Sequence, residues 1–412
     1  MSGIRRALRV PEFRALLVSY AVNRAGDVVG SLALAVVVLG ATGSALAAAA
    51  LFLSTQFLPG LIGPILVARL DRRAPGRILP ALYAVEGVVF VALALIVGRV
   101  SVAAVFALAF SDAVLAFVAR SITRAAAAST LIPHELMPEG KAAFNLALAI
   151  ATIAGPIAGG AALAALGAPT ALSIDAVSFL LAAALLARCN ALRAPAGSLG
   201  AGAEGGGNRL RESISYIAGQ TVLRTLIVGE GLAFVFFYLV MPVTVVYASR
   251  SLHAGAGGYA AILAAWGVGI ALGSAAHVRL ARRVGVNMIL LSTLAVAIGY
   301  LGTAAAPTLA VACAASVIGG IGNGTQWASV ETAIHELVSD ALRARVAALL
   351  EALAAIAPGV GIVLGGALTA LFSPRAAYLV AGLGLVALVC AGARSRLSPE
   401  PSSAEPVLSL DR

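Results

Sequence analysis

Between residues 14 and 393 the chain passes through one apolar run of about twenty residues after another, each ended by arginine, proline or glycine. A run of that length is what a helix needs to cross the hydrocarbon core of a bilayer. Barrel strands would instead alternate in hydrophobicity over about ten residues, and these runs do not. Twelve spans are expected, at about 14–40, 45–68, 78–98, 101–124, 142–167, 170–188, 222–248, 258–281, 286–305, 308–334, 345–371 and 376–393. Composition agrees, because 61% of the 412 residues are hydrophobic and only 11% are charged. A soluble chain carries about 25% charged residues, and surface-to-volume scaling demands a polar exterior even around a large core. The solvent for most of this chain is lipid.

The charges that remain fix an orientation. With the N-terminus in the cytoplasm, all of the 28 basic residues except Arg24, Arg99, Arg250 and Arg375 fall on the cytoplasmic side. That asymmetry is the positive-inside pattern, and a missed span would scramble it. Both termini are therefore expected in the cytoplasm, and the chain in the cell (plasma or inner) membrane. The first run is too long for a signal-peptide core and stays as a span.

Several functions are excluded at this stage. The formal charge of +10 is spread between apolar runs and not gathered on one face, so nucleic acid is not a partner. Cys189, Cys313 and Cys390 are too few and scattered for a disulfide framework or a metal site, and the histidines show no ligand spacing. No Walker A sequence is present, so ATP is not the intrinsic energy source. No nucleophile–base pair appears, so the chain is not expected to be an enzyme, and no cofactor is expected.

Residues 189–221 shift sharply toward Gly, Arg and Ser, as a flexible cytoplasmic linker does. They divide a bundle of six spans over 1–188 from a second over 222–393, followed by a cytoplasmic tail over 394–412. The halves echo each other. Arg69-Leu70-x-Arg72-Arg73 recurs as Arg279-Leu280-x-Arg282-Arg283, His134-Glu135-Leu136 as His335-Glu336-Leu337, and Gly155, Gly159 and Gly160 as Gly361, Gly365 and Gly366. Three matches in one order point to duplicated halves in parallel orientation. Secondary transporters are commonly built this way, with substrate near the midplane between the halves.

On these residues the chain resembles the major facilitator superfamily, in particular its twelve-span drug:proton antiporters of the macrolide-efflux and siderophore-exporter branch. The resemblance is carried by Gly26-Asp27, by Leu70-Asp71-Arg72-Arg73 with Arg77, and by Arg124 through Leu131-Ile132-Pro133. Asn145, Gly155-Pro156-Ile157-Ala158-Gly159-Gly160 and Asp175-Ala176-Val177-Ser178-Phe179 complete it. The glycine usual four residues before the loop aspartate is Val67 here, and Ala142 and Ala151 replace the antiporter glycines upstream of Gly155. The resemblance implies an all-α membrane fold of two pseudo-symmetric six-helix bundles, usually monomeric. It also implies that spans 1, 4, 7 and 10 line one central chamber. Arg69, Asp71, Arg72, Arg73 and Arg77 would form a gate loop, a carboxylate bridging arginines and releasing them as the halves rock. Topology-setting charges explain those arginines but not Asp71.

Asp27 lies about thirteen residues into the first span, about 18–20 Å deep at 1.5 Å per residue. A charge at that depth is costly and marks a wet cavity, a partner or a function. Arg24 lies on the same helix face, where an ion pair forms. The guanidinium favours the charged carboxylate and drying of the site disfavours it, so movement of Arg24 or closure of the cavity would load Asp27 with a proton. The alternative is a fixed pair that only pins helices. Asp112, about eleven residues from the outer end of span 4, is a second proton-coupling candidate. Glu86 and Glu230 are read as partners of Arg120 and Arg224. A substrate cavity is expected from Asn23, Phe234, Tyr238, Asn323, Gln326 and Trp327, and Gly155, Pro156, Gly159 and Gly160 are read as a helix-packing motif. The expected function is export of a small amphiphilic organic compound, drug, antibiotic or siderophore-like, driven by the proton gradient through alternating access. Uptake or facilitated passage on the same fold and a non-transporting sensor or scaffold remain alternatives.

Overall fold

The computed structural model describes residues 2–70, 74–97, 101–189, 221–284, 287–337 and 340–397. Every regular element among them is helical, the form in which a spanning backbone satisfies its own polar groups. After a short helix Ser2–Ala7 come α1 (Pro11–Thr42), α2 (Ala45–Leu70), α3 (Pro75–Ile96), α4 (Val102–Leu131), α5 (137–166) and α6 (168–187). The second half holds α7 (Thr221–Val240), α8 (Gly255–Val284), α9 (Asn287–Ala305), α10 (Leu309–Leu337), α11 (Asp340–Leu371) and α12 (Pro374–Leu397). Residues 190–220 of the linker expected over 189–221, the gate-loop residues Asp71, Arg72 and Arg73, and the tail beyond Leu397 lie outside the described residues.

Ten helices among the described residues are long and apolar enough to cross a membrane, against twelve expected. The difference has two local causes. Met137–Ala187 is one helical stretch of 51 residues, about 76 Å at 1.5 Å per residue and far longer than one crossing. It breaks at Gly167, whose φ of 80° and ψ of 172° no ordinary L-residue holds cheaply, and the expected spans 142–167 and 170–188 meet there. The helix α10 is not among the ten, because Gly319, Gly320, Gly322, Asn323 and Gln326 dilute its apolar run.

Local signals set the hairpin between α1 and α2. Gly43 takes the left-handed conformation at φ 60°, and its N–H returns to the Leu39 carbonyl 2.8 Å away. Ser44 then caps α2 by accepting the Ala47 N–H at 3.3 Å. These are the glycine stop and serine start of helices, so the chain reverses within two residues.

Large apolar side chains such as Leu61, Val88, Leu181 and Ile356 are exposed on the bundle's outside, as lipid-facing residues are. The interior contacts are made by small residues that let backbones approach. A side chain at Gly155 or Gly159 would strike Val28 and Val29 of α1, whereas one at Gly160 would strike Ala260 of α8, in the other half. The repeat in α11 does the same. Gly361 and Gly365 lie on the α7 backbone, whereas Gly366 meets Ala49 of α2, again across the halves. Each glycine triplet thus joins a helix to the first helix of its own half and seats it against the other half.

These cross-half contacts lie toward the Gly43 end of the molecule. There Arg250, in a π-turn at Tyr247–Ser251 that extends α7, donates to the Gly43 carbonyl. Deeper contacts place Gly267 on the Thr152 carbonyl and Gly359 on the Phe57 ring.

Candidate functional site

Two polar groupings lie inside the apolar bundle. The first is built on α1. Arg24 and Asp27 are three residues apart on one helix face, and the Arg24 Nη1 donates to Asp27 Oδ2 at 2.8 Å. Arg120 of α4 approaches the same oxygen at 3.9 Å, and Asn23 Nδ2 at 3.5 Å. The side chains of Arg24, Asp27 and Arg120 keep 24%, 16% and 29% of their surface exposed. This cluster is therefore partly exposed, as Asp112 is, unlike the buried acids Glu86 and Asp175.

Glu86 of α3 is fully buried, and neither of its carboxylate oxygens has a hydrogen-bond partner. Asp112 Oδ1 of α4 and Asp175 Oδ2 of α6 are likewise enclosed without one. Ser178 donates to the other Asp175 oxygen at 3.1 Å. Asp175 reaches this place because Gly26 and Gly30 carry no side chain; a Cβ on either would strike its carboxylate. Outside α1, α3, α4 and α6, the only such orphaned atom among the described residues is on Thr369. The charges of Asp27, Asp112, Asp175 and Arg120 all bear on Glu86. Four carboxyl groups thus share this interior with the two guanidiniums Arg24 and Arg120. An excess of ionised acid in a low-dielectric bundle is costly. Protons or cations on the acids would balance it.

The second grouping is a cavity in the C-terminal half. Of the expected substrate residues, Phe234, Tyr238, Asn323 and Gln326 line it, together with Glu230, Phe237, Val296, Tyr300 and Leu385. Its water-accessible space is about 60 Å³, and about 510 Å³ when the open mouth is counted. Gln326 Nε2 donates to Glu230 Oε2 at 3.1 Å. Its walls belong to α7, α9, α10 and α12, so the aromatic–amide site and the acid cluster occupy different halves.

Three expectations change. Asn23 is not part of this lining; it is buried at 1% exposure beside Asp27. Glu230 was expected to pair with Arg224, but its hydrogen-bond partner is Gln326 and it faces the cavity. Glu86 was expected to pair with Arg120, yet its carboxylate is unpartnered and the Arg120 ion pair is to Asp27. The depth argument applied to Asp27 would have raised Glu86, a carboxylate midway along α3. Tyr300 and Leu385 carry no such mark among other apolar residues. The Trp327 side chain lies outside the described residues, and Arg69 and Arg77 are exposed where α2 ends and α3 begins.

Comparison with known proteins bears on the fold. The family model described as Major Facilitator Superfamily matches residues 226–409. No curated protein matches the chain by sequence. Among solved structures, a bacterial metal transporter superposes with a TM-score of 0.68 at 15% identity, covering 94% of this chain and 98% of that one. A bacterial homologue of the iron transporter ferroportin, in its inward-facing state, gives 0.66 at 15% identity, covering 93% and 99%. The nucleoside transporter NupG gives 0.66 at 12% identity, covering 94% and 99%. The chain is a multi-span membrane protein with the fold of these transporters, and residues 226–409 match the Major Facilitator Superfamily.

Proposed function

We propose that the chain is a proton-coupled secondary transporter of the superfamily's drug:proton antiporter branch, exporting a small amphiphilic organic compound by alternating access. It crosses the cell membrane twelve times as a monomer, with both termini and the 189–221 linker in the cytoplasm. The bundles over 1–188 and 222–393 rock about the seams made by Gly160 and Gly366. The gradient supplies the energy and no cofactor is needed. Moving one charge through the membrane potential is worth about 2.3 kcal/mol per 100 mV, roughly fifty-fold in concentration.

One observation carries this reading: Asp27, partly exposed, bridges Arg24 and Arg120 in front of the orphaned carboxyls of Glu86 and Asp112. The arrangement gives a proton a partly exposed point of arrival at Asp27 and Asp112 and a buried acid, Glu86, beyond them. Tilting the halves about the glycine seams would change the access of Asp27 and the reach of Arg120. The same cluster also serves the alternative of a fixed helix pin, and transport separates the two. In reconstituted vesicles with an imposed pH gradient, export of a dye-like substrate is expected to follow the gradient and to fall at least tenfold in Asp27→Asn. Export indifferent to collapse of the gradient would leave a facilitator.

A further inference from the structure

The cavity of the C-terminal half has a chemistry of its own. Glu230 is 7% exposed, and Gln326 occupies one of its oxygens. The other lining groups are apolar, aromatic or neutral amide, and no Arg, Lys or His is among them. A carboxylate in such a wall repels anions and leaves a neutral guest with an unbalanced charge beside it. A hard metal ion would want six or more oxygens, which one carboxylate and two amides do not supply. No group of three or more His, Cys, Asp or Glu suited to a metal occurs among the described residues. An organic cation meets both needs, since the carboxylate balances its charge and ring faces attract it.

The rings are held in place before any guest arrives. Phe237 packs edge-on against Tyr238 at 5.4 Å and tilted against Trp266 at 6.2 Å. Trp266 stacks on Tyr300 at 5.4 Å and 15°. Tyr300 abuts Tyr378, whose hydroxyl bonds Thr244 at 2.9 Å. This spine runs from the cavity toward the Gly43 end, so the aromatic wall is set by its own packing and its ordering is not charged to binding.

We propose that this cavity binds an organic cation, with Glu230 as its counter-ion and Phe234, Phe237 and Tyr238 as the walls around it. The proposal deepens the transport reading above by naming a substrate class, and it assigns Glu230 a role distinct from the acids of the N-terminal half.

Binding to the purified full chain tests it without transport. Ethidium and tetraphenylphosphonium serve as cationic probes, and fluorescein as an anion of ethidium-like size. Saturable binding of a cationic probe is expected, weakened at least tenfold in Glu230→Gln and several-fold in Phe237→Leu, and less affected in Glu230→Asp. Melting temperatures establish that each variant is folded. Fluorescein is expected not to bind. Failure of both cations to bind, unchanged affinity in folded Glu230→Gln, or fluorescein binding as well as ethidium would overturn the assignment. Cation binding without any gradient-driven export would overturn antiport alone, and gradient-driven export of a neutral compound without cation binding would overturn this site alone.

Discussion

At the scale of single residues, Glu86 separates the coupling account from a purely structural one. Its carboxylate is fully buried and makes no hydrogen bond, so Glu86→Gln keeps the volume and breaks no bond that the fold uses. The expectation is a melting temperature close to that of the unaltered chain, combined with gradient-driven export reduced at least tenfold. A large drop in melting temperature with normal export would make Glu86 a packing residue. The sequence disclosed the acids one by one but not their partners. Depth along a helix is readable from residue counts, whereas the side chain across the gap belongs to another helix. That is why Asp27 and Arg24, neighbours on one turn, were legible as a pair, and why Glu230 with Gln326 was not.

At the scale of helices, the repeated glycines divide into two jobs. Gly365 lies on the Leu239 carbonyl of its own half, and the adjacent Gly366 lies on Ala49 of the other. Gly365→Ala is expected to lower the melting temperature, since a backbone atom gives way less readily than a side chain; overpacking costs about 1–3 kcal/mol. Gly366→Val and its counterpart Gly160→Val are expected to reduce transport more than they reduce stability, by wedging the seam between halves. Equal effects of Gly365→Ala and Gly366→Val on both measurements would remove the distinction. The repeat itself was visible in the sequence because only glycine permits such approach. Which glycine of a triplet faces the other half was not visible, because helix rotation is settled by packing. The helix α10 is less apolar along its run than the other spans for the same reason that it matters, as Asn323 and Gln326 are its cavity-lining residues.

At the scale of the whole molecule, the two halves carry different chemistry on similar frames. Orphaned acids gather among α1, α3, α4 and α6, and a single carboxylate in an aromatic wall stands among α7, α9, α10 and α12. Apolar runs and the basic asymmetry made the bundle legible. Acids in the first half and aromatics with amides in the second were legible too, but the carboxylate of Glu230 within the aromatic wall was not, because its partner Gln326 belongs to another helix. Contact at the Gly43 end joins the halves through Arg250 and the Gly160 and Gly366 seams, and rocking about those seams is what would carry Asp27 between two environments. The most direct test is proton release itself, read with a pH dye in lightly buffered solution when substrate is added to the purified full chain. Substrate binding should release protons from the unaltered chain and none from Asp27→Asn; equal release from both would contradict a proton held and surrendered at Asp27.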